Sequence, residues 1–121
     1  MCSTLTTLDL QYNATGSERI EQLANALQQN KTLARIYFGD NLIDNQGAQY
    51  FATALQHNKT LIDLDLQHNR IGSQVAQHLA NALQKNKTIT TLNLQNNPIS
   101  DQGKQCINEI LENKLQIGLL V

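Results

Sequence analysis

The chain is short of cysteine, of net charge and of long apolar runs, and each shortage removes a class of protein. Two cysteines in 121 residues, Cys2 and Cys106, are too few for a disulfide framework. Nine basic residues against ten acidic ones, a formal net charge of -1, leave no basic excess, which argues against a general binder of nucleic acid or membrane surfaces. No apolar stretch exceeds a few residues, so no transmembrane helix fits. Residues 1–10 lack a basic segment followed by an apolar one, so no secretory signal is visible. A Gly-rich phosphate loop is missing too. The expectation is a cytoplasmic protein. At 40% hydrophobic, a chain of this length makes one domain, residues 1–121, whose core needs no disulfide or metal.

What is abundant is Leu, Asn and Gln, with 19, 14 and 15 residues. They recur rather than cluster, and the recurrence is a repeat. Leu5, Leu33, Leu61 and Ile89 stand 28 apart, as do Leu8, Ile36, Leu64 and Leu92, then Leu10, Phe38, Leu66 and Leu94. Asn13, Asn41, Asn69 and Asn97 keep the same interval. The units run 5–32, 33–60, 61–88 and 89–116, with a partial fifth strand over 117–121 in which Ile117 and Leu120 take the places of Leu5 and Leu8.

Each unit changes period halfway. Its first part alternates, as at Leu64 and Leu66, which predicts a short strand. Its second part places Val75, Ala76, Leu79, Ala80, Ala82 and Leu83 on one face of a helix. Helix starts are expected near Gly16, Asp44, Gly72 and Ser100, and helix ends near the Asn-Lys-Thr triplets at 30–32, 58–60 and 86–88. One strand and one helix cannot bury their apolar faces alone, so the units must stack: strands in parallel, helices on one side.

The pattern L-x-x-L-x-L-x-x-N is similar to the leucine-rich repeat signature. The 28-residue length and the run G-A-x-x-x-A-x-A-L at Gly47 to Leu55 resemble its ribonuclease-inhibitor-like subclass, which also forms the sensor regions of NOD-like immune receptors and the Ran GTPase-activating domain. The resemblance implies a right-handed α/β solenoid, a horseshoe fragment with a parallel sheet on its concave face and helices on its convex face. It implies a protein-interaction scaffold, with a regulator of an enzyme, such as a Ran-type GTPase activator, or an immune-receptor-like ligand sensor as the alternative.

Several repeated residues have structural readings. Asn13, Asn41, Asn69 and Asn97 fall where the strand bends out, and their amides can serve neighbouring backbone groups as a ladder; the resemblance implies the same. Small residues such as Ala48, Ala52 and Ala54 let helices approach. Lys104 and Asn108 replace two of them in the last unit, a capping signal. The Asn-Lys-Thr triplets and Asn13-Ala14-Thr15 match the glycosylation sequon, but without a signal peptide they read as a repeating turn. Lys31, Lys59 and Lys87 form a row on one rim, a solvated row or an anion-binding one. Both ends look open: either the chain is cut from a longer solenoid, or Ile117, Leu119, Leu120 and Val121 make an apolar edge through which it forms homo-oligomers at the solenoid ends.

Function is expected on the sheet face turned away from the leucines. The units give it Thr7, Asp9, Gln11 and Tyr12; Arg35, Tyr37, Gly39 and Asp40; Asp63, Asp65, Gln67 and His68; Thr91, Asn93, Gln95 and Asn96. Four carboxylates face one cation, and Tyr and Arg are frequent interface anchors. The expectation is a polypeptide partner of basic character, held by Asp9, Tyr12, Arg35, Tyr37, Asp40, Asp63, Asp65, His68, Asn93 and Asn96. The acidic sign would repel nucleic-acid phosphates. Asp63, Asp65 and His68 form a weak candidate for a divalent metal or an acid/base pair. No catalytic residue and no cofactor is expected.

Overall fold

The computed structural model describes residues 6–11, 16–111 and 118–120. Strands and helices alternate. The strands are β1 (Thr7–Asp9), β2 (Arg35–Tyr37), β3 (Asp63–Asp65), β4 (Thr91–Asn93) and β5 (Gly118–Leu120). Between them lie α1 (Ser17–Gln29), α2 (Asn45–His57), α3 (Ser73–Lys85) and α4 (Asp101–Leu111). The strands form one parallel sheet in chain order, so each helix is a crossover between neighbours. The chain is an α/β solenoid.

The hydrophobic effect explains the stacking. Ile36, Phe38, Leu64, Leu66, Leu92 and Leu94 leave the strands on one side and are buried. Phe51, Leu55, Leu79, Leu83, Ile107 and Leu111 meet them from the helices. Each such side chain contributes about 1.5–3 kcal/mol on burial. Phe38 and Phe51 pack with ring centroids 5.3 Å apart at 60°, a tilted geometry that aromatic quadrupoles favour. Ala48, Ala54, Ala76, Ala80 and Ala82 are fully buried between helices. Close approach is strictest at Gly103, where a Cβ would lie 2.6 Å from Ser73 Oγ.

Helix ends follow local chemistry. Asp44 Oδ1 accepts from Gly47 N at 3.0 Å, and Ser100 Oγ accepts from Gly103 N at 3.0 Å, satisfying first-turn donors. Gly16 and Gly72 cap α1 and α3 without a side-chain bond. At the other end, α1, α2 and α3 stop at Asn30, Asn58 and Asn86, all with extended backbone.

The fifth strand corrects the expected register. Strands β1 to β4 pair at the 28-residue interval, Ile36 with Leu64 and Leu64 with Leu92. In β5 it is Leu119, not Leu120, that pairs with Leu92. A slip of one residue exchanges the two faces of a strand. Leu119 therefore holds the leucine position, and Gly118 and Leu120 hold the inner-face positions. The sequence carries the mark, because Asn113-Lys114 follows Asn86-Lys87 by 27 residues, not 28. Ile117 and Val121 lie outside the described residues.

Candidate functional site

Parallel pairing builds the inner face. It aligns Thr7 with Arg35 and Asp9 with Tyr37, Arg35 with Asp63 and Tyr37 with Asp65, then Asp63 with Thr91 and Asp65 with Asn93. Leu64 between the two aspartates is buried, while Asp63 and Asp65 stay half-exposed. Period-2 alternation thus gathers Asp9, Arg35, Tyr37, Asp63, Asp65 and Asn93 on adjacent strands of one surface. Tyr12 and Asn13 lie outside the described residues.

The electrostatics of this surface are strained. The Asp63 carboxyl is raised from its ordinary value, first by partial burial, then by the charge of Asp65, while Arg35 pulls it back. Asp65 also acts locally, accepting from Gln67 N at 3.0 Å, as Asp9 accepts from Gln11 N at 3.1 Å. Gly39 contributes no side chain; it is buried, and a Cβ there would stand 3.3 Å from Gln67 Cγ.

Asp40, His68 and Asn96 are less free than their sequence positions suggest. They take positive φ, at 59°, 54° and 61°. Asp, Asn and His are the non-glycine residues that best tolerate the left-handed region, so the backbone explains these residue types. Asn96 Nδ2 and His68 Nε2 sit 3.1 Å apart. Leu42 also has positive φ, at 60°, and is 51% exposed. Among the described residues, Asp63, Asp65 and His68 are not part of any group of three or more ligating side chains placed to hold a metal.

The strand-exit asparagines do bond across repeats. Asn69 Nδ2 donates to Phe38 O, Leu66 O and Gln67 O, and its Oδ1 accepts from Asn41 N and Ile43 N. Asn41 donates to Leu10 O, and Asn97 donates to Leu66 O while accepting from Ile71 N.

A second ladder, on the opposite rim, was not foreseen. Asn58 Nδ2 donates to Leu27 O and Asn30 O, and Asn86 Nδ2 to Leu55 O and Asn58 O. Their Oδ1 atoms accept from Thr60 N and Leu61 N, and from Thr88 N and Ile89 N. Thr60 and Thr88 Oγ1 reach back to Leu33 O and Leu61 O. The triplets are therefore a structural motif, and the amide nitrogens of Asn58 and Asn86 are buried and engaged, closed to glycan attachment. The available signal was their 28-residue recurrence at helix ends.

A family model described as Leucine Rich repeat matches residues 2–18, 57–77 and 85–107, half of the chain. No curated protein matches by sequence. Among solved structures, the actin-binding site 2 of leiomodin-1 superposes with a TM-score of 0.88 at 22% identity, covering 95% of this chain and 68% of that one. The tropomodulin C-terminal domain of Caenorhabditis elegans gives a TM-score of 0.86 at 14% identity, with 96% and 72% covered. At such identities the likeness is one of fold. No helix among the described residues is long and apolar enough to cross a membrane.

Proposed function

The chain belongs to the leucine-rich repeat family, and on that premise we propose a non-catalytic protein-binding scaffold whose inner sheet face receives a polypeptide of basic character. The observation that carries this reading is the Asp63–Asp65 pair. The two carboxylates stand two residues apart on one strand, one of them raised by burial and by its neighbour's charge, with a single cation, Arg35, on the adjoining strand. A folded surface gains nothing from that repulsion, whereas a cationic partner relieves it. Tyr37, aligned between Asp9 and Asp65, offers the flat amphipathic contact common at interface centres. By its 28-residue interval we place the repeat with the ribonuclease-inhibitor-like type.

Titration with a lysine decapeptide tests the proposal. The expected result is saturable binding that weakens about tenfold in Asp63→Asn/Asp65→Asn, as loss of two ion-pair partners predicts, and that weakens also in Tyr37→Ala. Equal binding by wild type and all variants would remove the inner face from the function. A second reading follows from the leiomodin-1 neighbour, which is an actin-binding site: co-sedimentation with actin tests it, and Tyr37→Ala shows whether the inner face takes part. Self-association through the edges of β1 and β5 belongs to the same proposal; an unaltered mass by light scattering after removal of residues 117–121 would argue against it.

A further inference from the structure

We propose that the groove on the helix-exit rim between α2 and α3 binds an acidic, carboxylate-rich polypeptide segment, at a site separate from the inner face. The groove has a volume of about 360 Å³ and is lined by Lys59, Lys85 and Lys87, with Gln56 and Thr88 beside them. No lining residue is acidic, although acids outnumber bases in the chain. All three lysines are exposed. Like charges gathered around one concavity repel, and a surface shaped for solubility alone mixes its signs.

Structural duty accounts for at most one of them. A cation in the last turn complements a helix's negative end, which explains Lys85 on α3, but Lys59 and Lys87 lie beyond their helices, and α2 already has His57 in its last turn. The carbonyls at the α2 exit are already served, since Asn86 Nδ2 donates to Leu55 O at 2.8 Å and to Asn58 O at 3.0 Å. The ammonium groups keep their donors for something else.

The same bonds decide the class of ligand. A phosphate cradle is made of converging backbone N–H groups. Here those of Thr60, Leu61, Thr88 and Ile89 are taken by Asn58 and Asn86. What remains is a set of flexible point charges, which read charge density rather than phosphate geometry. A short run of Asp or Glu side chains fits, and Lys31, exposed one repeat upstream on the same rim, extends the row.

A fluorescent glutamate decapeptide titrated into the full chain at low salt is the test. Saturable binding is expected, weakened about tenfold in Lys59→Gln/Lys85→Gln/Lys87→Gln and lost as the screening length shortens to about 10 Å near 0.1 M salt. Lys104→Gln, on α4, is expected to bind as wild type does. The triple variant should keep the wild-type circular dichroism and melting curve, because its lysines are exposed. The proposal is overturned if the peptide fails to saturate or if the triple variant binds it equally. It is overturned too if inorganic phosphate competes at equal charge, or if a single-stranded oligonucleotide binds more tightly than the peptide.

Discussion

The two rims of the solenoid solve one problem with one residue type and differ in almost everything else. On each rim the chain turns between strand and helix, and backbone groups must be satisfied away from water. On the strand-exit rim Asn41, Asn69 and Asn97 do this, and on the helix-exit rim Asn58 and Asn86. Every positive-φ residue among those described, Asp40, Leu42, His68 and Asn96, lies on the strand-exit rim. The helix-exit asparagines are extended, Asn58 at φ -73°, and lysines surround them. Amide side chains therefore supply the bonding on both sides, while strain is confined to one side and positive charge gathers on the other.

Deleting one rung from each rim breaks the comparison most severely. Asn69→Ala takes the acceptor from the N–H groups of Asn41 and Ile43 and one of two donors from each of Phe38 O, Leu66 O and Gln67 O, and should cost about 3 kcal/mol in urea unfolding. Asn86→Ala releases two N–H groups and two carbonyls and should cost about 3 kcal/mol. If Asn86→Ala proves harmless, the helix-exit ladder is decoration on a turn that stands without it.

These rungs also show how far the sequence could be read. The strand-exit ladder was legible because its Asn closes a recognisable pattern of leucines. The helix-exit ladder recurs just as regularly, but a helix C-terminus is satisfied in many ways, by glycine, water or a tightened last turn, so a repeated Asn there does not announce its partners. The parallel sheet and buried leucines followed from period alone. The slip in β5 did not, since one missing residue between Leu111 and Asn113 is invisible against apolar residues at 115, 117, 119 and 120 that fit either register. On the inner face, Asp63 and Asp65 were legible from alternation. The backbone demand at Asp40, His68 and Asn96 was not, because polar residues at a strand's end look free until φ is known.

Strain on the strand-exit rim can be tested at one repeat position. Leu42, Arg70 and Pro98 stand 28 apart, yet only Leu42 has positive φ. A leucine there costs about 1–2 kcal/mol that glycine does not. Because Leu42 is exposed, Leu42→Gly loses little burial and should stabilise the fold by up to about 1 kcal/mol after the entropy of the added glycine is counted. Arg70→Gly should destabilise it by about 0.5–1 kcal/mol. Equal signs in thermal unfolding would show that the left-handed turn at Leu42 is no burden.

The smallest effect lies on the sheet between the rims, where charge serves neither ladder. Folding raises the Asp63 carboxyl above 3.8, through burial first and Asp65 second. A raised acid favours the folded state in its protonated form. Its stabilising contribution is complete below 3.8 and is lost as pH climbs through the folded value. Asp63→Asn stays neutral throughout. At pH 3 the variant and the wild type should therefore unfold alike, and at pH 7 the variant should be the more stable, by under about 1 kcal/mol because the group is largely solvated. A variant less stable at pH 7 would mean that attraction to Arg35 outweighs burial and repulsion together. The inner face would then be a structural ion pair, and the case for a cationic partner would fall with it.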